Sequence, residues 1–259
     1  MLRKMLAQSS GCIRVAAREA HFFESGRRAY NLGLQWYIDR MPPTSRDEIT
    51  LEKTPQYFTD DLAPRRIHDM NSSIKLILIL CDPTERLISD YCEMKFNAER
   101  HNRSFPSNFK DAIFDKSGML NVTYEPVRVG LYSEHLKRWY SIFPKSQILI
   151  LHGENFIEQP WQELNKVMRF LNIKKRISKE IFMFDKQKGF YCFKQPGYQN
   201  CREKVKGRVH PKISKENYKL IQNIYGPAND EFTRLTGLNF SWGHKQQIFR
   251  NKDPNGHIC

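Results

Sequence analysis

Three side chains that can move a proton or stabilise a developing charge follow the first two predicted strands of this chain. Glu19 and His21 come just after the strand predicted over 12–17, and Lys53 closes the strand predicted over 49–53. A carboxylate two residues before an imidazole lies on the same side of an extended segment, so the pair could act as a base and its helper. A surface carboxylate beside a half-buried histidine fits the same spacing, and a single lysine is commonly a solvated charge.

A fourth candidate, Ser89, lies on the helix predicted over 84–99, after Arg86. A serine and a helix N-terminus together suit a phosphate group, although exposed serines are also common on helices. In open parallel sheets, ligands bind beyond the carboxyl ends of the strands. The residues that follow each strand could therefore converge on one cleft.

The elements that must position these residues alternate between strands and helices. The clearest strand, over 73–82, is a continuous apolar run typical of a parallel sheet covered on both faces. The polar segment 100–126 is predicted to be a long surface excursion. This alternation predicts an α/β protein with a mostly parallel sheet. The other predicted elements are strands over 12–17, 49–53 and 146–156 (the last ending in a loop), helices over 30–41, 63–70, 84–99, 127–143 and 161–173, and a helix pair over 215–237 broken at Gly226-Pro227.

Length and charge limit the possible classes of protein. The 259 residues suit one large α/β domain or two small ones. The net charge of +14 attracts a polyanion, which can be nucleic acid, an anionic membrane or a sulfated polysaccharide. No run of about 18 apolar residues is present, so we expect no membrane span. We interpret the N-terminus as mature sequence rather than as a signal peptide.

The cysteines and sequons bear on the compartment. None of the six cysteines has C-x2-C spacing, so we expect no metal site. Cys192 and Cys201 bracket a loop rich in turn-forming residues, and a disulfide or two free thiols fit that spacing equally. Sequons of the N-x-[ST] type favour a secretory compartment, and they begin at Asn71, Asn102, Asn121 and Asn239.

Five motifs in order, "EAHFFE", "EKTPQYF", "DPTERLISDY", "KGFYC" and "KGRVHP", resemble the heparan sulfate glucosamine 3-O-sulfotransferases. These enzymes have the wider fold of sulfotransferases that use 3′-phosphoadenylyl sulfate (PAPS). The resemblance extends from about Met5 to Trp242. It implies a P-loop-like, three-layer α/β sulfotransferase fold with a mostly parallel central sheet, in a domain over 1–243 followed by a polar tail over 244–259.

The resemblance also implies roles for individual residues. Glu19 would take the proton from the sugar 3-hydroxyl, His21 would lie beside it, and Lys53 would face the sulfuryl group in flight. Sulfuryl transfer resembles phosphoryl transfer, which needs positioning and charge stabilisation more than covalent work by the protein. The donor phosphate and the closing loop would use Ser89, Lys206, Gly207, Arg208 and His210, and Cys192 and Cys201 would form a disulfide.

The chain departs from the family pattern at three places. The family opens with a strand and a "GVRKGGT" loop that holds the 5′-phosphosulfate, and we expect both to be missing because the chain aligns from the helix that follows. Cys81 stands where an arginine is expected, and Glu24 where the family has aspartate. An incomplete sequence and a degenerate paralogue both explain the missing loop. The retained Glu19, His21 and Lys53 favour the first explanation.

The leading prediction is transfer of a sulfuryl group from PAPS to the 3-hydroxyl of glucosamine in heparan sulfate, in the Golgi lumen and without a metal. Loss of the phosphosulfate loop would weaken or abolish activity in this chain. The alternative is a non-catalytic heparan sulfate- or heparin-binding protein. Charge alone also permits a nucleic-acid-binding protein, but a disulfide and glycosylated sequons would argue against it, so we expect no nucleic acid partner. The sequence specifies neither disaccharide preference nor oligomeric state.

Overall fold

A computed structural model describes the chain over residues 5–7, 10–106, 108–115, 117–186, 190–194 and 213–242. Two compact units are present. The first consists of Met1–Leu78, His135–Ile150 and Trp161–Ile181, and the second of Ile79–Glu134, Leu151–Pro160 and Phe182–Cys259. The predicted tail over 244–259 lies outside the described residues, so the domain boundary at 243 stays a prediction.

The described ranges contain both classes of regular structure. The strands are β1 (Ile13–Val15), β2 (Ile49–Leu51), β3 (Leu76–Leu80), β4 (Ile148–His152), β5 (Phe182–Asp185) and β6 (Phe190–Phe193). The α-helices are α1 (Gly33–Ile38), α2 (Ala63–Met70), α3 (Pro83–Arg100), α4 (Phe109–Ile113), α5 (Glu125–Val129), α6 (Tyr132–Tyr140), α7 (Gly153–Glu158), α8 (Pro160–Phe170) and α9 (Lys215–Thr236). Short 3-10 helices span Arg28–Leu32, Pro55–Phe58, Lys145–Gln147 and Lys179–Ile181. None of the helices in these ranges combines the length and apolar character that crossing a bilayer requires.

The strands are arranged in pairs. β1 and β2 are parallel, with Ile13 opposite Ile49 and Val15 opposite Leu51. β3 pairs with β4, and β5 runs antiparallel to β6. The α/β class predicted from the sequence is confirmed, and a strand is found at each of the four predicted places. β5 and β6 were not predicted, because "FMFD" and "FYCF" are short and have no clear alternation.

An aromatic core holds the first unit together. It consists of buried residues from the segment after β1, helices α1 and α2, the 3-10 helix Pro55–Phe58, and the end of α6 with the residues just after it: Phe22, Phe23, Tyr37, Tyr57, Ala63, Ile67, Trp139 and Phe143. The rings of Phe22 and Phe23 meet edge to face, with centroids 4.9 Å apart. Both side chains are buried, so they anchor the backbone of the residues just before them, which include Glu19 and His21.

The second unit has a separate core around α3, and this core adds detail to one prediction. Its buried members include Leu87 and Ile88 of α3, Tyr225 of α9, and Phe109 and Ile113 of α4. The segment 100–126 is largely exposed, as predicted, but Phe109, Ile113 and Leu120 anchor it in this core. Its few apolar residues are spaced to reach the core, although the polar residues between them hide that pattern in the sequence.

Three helix boundaries also differ from prediction. The helix predicted over 127–143 is two helices, α5 and α6, that meet near Gly130. The residues after β4 form helix α7, not a loop. The pair predicted over 215–237 is the single helix α9, which continues through Pro227. Buried residues on both sides of this proline, Tyr225 and Phe232, keep the helix packed despite the missing backbone hydrogen bond.

Candidate active site

The predicted acid and the predicted cation meet in the first unit. Glu19 follows β1 and Lys53 lies two residues beyond β2. Because the two strands are parallel neighbours, their carboxyl ends lie at the same edge. Lys53 Nζ donates a hydrogen bond to Glu19 Oε1. The Lys53 side chain is 52% exposed and that of Glu19 is 35% exposed, so both can be reached by a ligand.

His21 lies between two carboxylates. Its Nε2 is 3.4 Å from Glu19 Oε2, and its Nδ1–H donates to Glu24 Oε1 at 2.6 Å. Glu24 is buried and also accepts a 3.1 Å hydrogen bond from Arg27 Nε. A buried carboxylate on Nδ1 fixes the imidazole orientation and directs Nε2 toward Glu19. Glu24 thus contacts the His21 ring from the position at which the motif resemblance leads us to expect the shorter aspartate.

The structure gives Glu24 a contact with the site that residue types alone did not assign. It lies three residues after His21, within the motif "EAHFFE", and this spacing was the available signal. The spacing became informative only because His21 adopts a left-handed backbone conformation, with φ of 49°. Few residues other than glycine adopt this conformation, and here it turns the chain so that the ring and the later carboxylate meet.

Ser89 lies in the second unit, half-buried within α3. The amide groups at the start of this helix are already satisfied, because Asp82 Oδ1 accepts hydrogen bonds from Thr84 N at 2.8 Å and Glu85 N at 3.4 Å. The argument from a helix N-terminus therefore does not support a phosphate site at this serine. Ser89 stays a predicted donor residue on the basis of the resemblance alone.

The residues around Ser89 have structural partners. Arg86 pairs with Asp90, and its Nη2 donates to the carbonyl of Pro126 at 2.6 Å. Cys81, which replaces the expected arginine, packs against Gly153 so closely that an added Cβ there would lie 2.3 Å from Sγ. The described part of this unit thus uses position 81 for packing.

The remaining predicted residues stay predictions. Lys206, Gly207, Arg208, His210 and Cys201 lie outside the described residues. Cys192 lies on β6, opposite Met183 of β5.

Comparison with known proteins identifies the family. The model of the sulfotransferase domain family matches residues 5–233. The chain belongs to the sulfotransferase domain family. Among similar proteins, human heparan sulfate glucosamine 3-O-sulfotransferase 5 is 36% identical over 228 residues, which cover 88% of this chain and 66% of the relative. Mouse heparan sulfate glucosamine 3-O-sulfotransferase 3B1 is 37% identical over 235 residues, covering 89% and 58%, respectively.

These matches set the extent of the resemblance. Human heparan sulfate glucosamine 3-O-sulfotransferase 6 is 38% identical and is covered over 66% of its length, so the chain spans less than two thirds of the curated relatives it matches. The crystal structure of a sulfotransferase from Alicyclobacillus acidocaldarius superimposes with a TM-score of 0.64, at 16% identity over 91% of this chain and 90% of that one. This likeness confirms the predicted sulfotransferase fold, while the family assignment confirms the resemblance drawn from the motifs.

Proposed function

We propose that this protein transfers a sulfuryl group from PAPS to the 3-hydroxyl of a glucosamine residue in heparan sulfate. The observation that carries the proposal is the contact between Glu19 and Lys53, with His21 beside them, at the carboxyl ends of two parallel strands. The names of the curated relatives specify this substrate and this hydroxyl. An acid and an ammonium group at one accessible edge are the two kinds of group that the reaction requires.

In the proposed reaction, Glu19 accepts the proton of the 3-hydroxyl. The hydroxyl oxygen forms a bond to sulfur as the bond from sulfur to the phosphate of the donor breaks, and 3′-phosphoadenosine 5′-phosphate leaves. Lys53 stabilises the charge that develops on the leaving oxygen. His21, held on its other side by Glu24, keeps the Glu19 carboxylate directed at the acceptor.

Binding of two anionic substrates is supported by charge. PAPS supplies the sulfuryl group, and the exposed ammonium of Lys53 can be reached by it. Ser89, Lys206, Gly207, Arg208 and His210 are the further residues that we propose for the donor. The net charge of +14 supports an anionic polysaccharide as acceptor, and the binding should weaken as salt is added.

A transfer assay with labelled PAPS and heparan sulfate tests the proposal. We expect label at the 3-position of glucosamine, and a fall in turnover of roughly 10²–10⁴-fold for Glu19→Gln, since the amide cannot accept the proton. Glu48→Gln is the matched control, because Glu48 also forms an ion pair, with Arg14, near the start of β2. A protein that is retained on heparin but transfers no label would instead be the non-catalytic heparin-binding protein.

We further propose that the protein is a glycoprotein of the Golgi lumen with a disulfide between Cys192 and Cys201. The support is that three of the sequon asparagines are exposed and open to modification, namely Asn71, Asn102 and Asn239. A disulfide is stable in that oxidising compartment. An unchanged electrophoretic mobility after glycosidase treatment of protein expressed in animal cells would contradict glycosylation.

A further inference from the structure

Three consecutive backbone amides next to Glu19 are held by side chains of the motif "EKTPQY". Ala20 N–H donates to Glu52 Oε1 at 3.1 Å, and His21 N–H donates to Thr54 Oγ1 at 3.4 Å. Phe22 N–H donates to the Tyr57 hydroxyl at 3.0 Å. The motif therefore contacts the Glu19–His21 segment through more than the ammonium of Lys53.

The three acceptors are connected and sheltered from water. The Thr54 hydroxyl donates its one hydrogen to Glu52 Oε1 at 2.5 Å, which leaves its lone pairs for the His21 amide. Thr54 and Tyr57 are buried, and Glu52 is half-buried. Burial raises the pKa of Glu52, while the hydrogen bonds from Thr54 and Ala20 act in the opposite direction. Hydrogen bonds in such surroundings are costly to leave unmade.

The backbone held in this way is one that would not be stable by itself. His21 has a φ of 49°, in the left-handed region that residues other than glycine rarely adopt. Two sets of interactions hold the turn. The side chains of Phe22 and Phe23 are buried, and the amides of Ala20, His21 and Phe22 donate the three hydrogen bonds described above. Without the amide bonds, the segment would be free to relax toward ordinary dihedral angles and turn Glu19 and His21 away from Lys53.

We propose that Glu52, Thr54 and Tyr57 are positioning residues that hold the Ala20–Phe22 backbone so that Glu19 and His21 face Lys53. Successive residues of the motif then have different roles. Lys53 contacts the Glu19 side chain, whereas its neighbours Glu52 and Thr54 accept hydrogen bonds from the backbone amides of Ala20 and His21. The proposal deepens the proposed function, because the positioning of Glu19 affects turnover only if Glu19 is the base.

The variant Thr54→Val tests the proposal, since valine has a similar shape but cannot accept the His21 amide. Thr54→Ser is the rescue variant, because serine keeps the hydroxyl. We expect Thr54→Val to lower kcat by roughly 10–100-fold while changing the acceptor KM less than about threefold, as for a misplaced catalytic group. Thr54→Ser should restore kcat to within a few-fold of wild type. Tyr57→Phe should show a loss of kcat in the same direction, and the control Glu48→Gln should leave kcat unchanged.

A second measurement does not depend on turnover. Amide hydrogen exchange at His21 should become at least about tenfold faster in Thr54→Val and return in Thr54→Ser, because the exchanging group has lost its acceptor. The NMR resonances of the His21 ring should shift in the first variant and return in the second. A variant that is merely less stable would not shift these native-state resonances.

The outcomes separate this proposal from the proposed function. If kcat and the His21 resonances of Thr54→Val stay at their wild-type values, or if Thr54→Ser fails to restore them, the positioning role is wrong. If the wild-type protein transfers no sulfate but the exchange and resonance changes occur as expected, the proposed reaction fails while the positioning role stands. A rise in KM with unchanged kcat would also overturn the proposal, because it would place Thr54 in substrate binding.

Discussion

Replacing Lys53 by glutamine separates its chemical role from its contribution to stability. The substitution removes the hydrogen bond and ion pair to Glu19 while keeping a side chain of similar length. Because the Lys53 side chain is 52% exposed, water and salt screen this pair. Exposed ion pairs contribute about 0.2–1 kcal/mol to the free energy of unfolding, so we expect a change in that range.

The expected loss of turnover is much larger. Removing one group that stabilises developing charge costs about 2.7–4 kcal/mol of transition-state stabilisation, or roughly 10²–10³-fold in kcat. A protein with about 5 kcal/mol of stability that loses about 1 kcal/mol is still more than about 99% folded. Unfolding therefore cannot account for a loss of turnover of this size in Lys53→Gln.

The assay measures kcat with saturating donor and acceptor, together with urea unfolding followed by tryptophan fluorescence. Arg14→Gln is the matched control, since Arg14 is 51% exposed and forms an ion pair with Glu48 beside the same two strands. The control should change stability by a similar small amount and leave kcat unchanged. A loss of less than about tenfold in kcat for Lys53→Gln would refute the role of its ammonium in the transition state. A loss of more than about 2 kcal/mol in stability would make Lys53 a structural residue.

Two further predictions concern stability. Gly130→Ala should lower the free energy of unfolding by about 1–3 kcal/mol, because the new Cβ would lie 2.6–2.7 Å from ring and hydroxyl atoms of the fully buried Tyr225, and urea unfolding checks this. Burial raises the pKa of Glu52 above its ordinary value of 4.5, so the folded protein binds a proton more tightly than the unfolded chain and loses stability as pH rises through the folded-state pKa. Unfolding measured at several pH values should therefore show the stability of wild type falling relative to Glu52→Gln as pH increases from about 4.5, and a constant difference would contradict the shift.

Much of the local structure could be predicted from the sequence. The helix predicted over 63–70 is found with those bounds, as Ala63–Met70, and the strand predicted over 73–82 contains β3, Leu76–Leu80. Both signals are local, since a proline fixes one helix end and a continuous apolar run marks a buried strand. The break predicted at Pro227 was wrong because burial of distant residues against α9 outweighed a local cost.

Part of the candidate site could likewise be predicted from the sequence, and part could not. Motif order alone indicated Glu19, His21 and Lys53, because acid, imidazole and ammonium are chemically distinctive side chains. The hydrogen bond that fixes the backbone of Ala20 could not be predicted in this way. Its acceptor, Glu52, is 32 residues away, and a contact between a side chain and a backbone amide depends on no particular residue type at the amide.

The sequence by itself determined which groups are available for chemistry, the α/β class and the excess of positive charge. Only the tertiary structure decided that Lys53 contacts Glu19, that Glu24 orients His21, and that side chains of the second motif accept hydrogen bonds from the backbone of the left-handed turn at His21. The physical reason is distance along the chain. Residue type and spacing encode interactions within a helix turn or strand, whereas the pairing of β1 with β2 creates a shared edge from segments more than thirty residues apart.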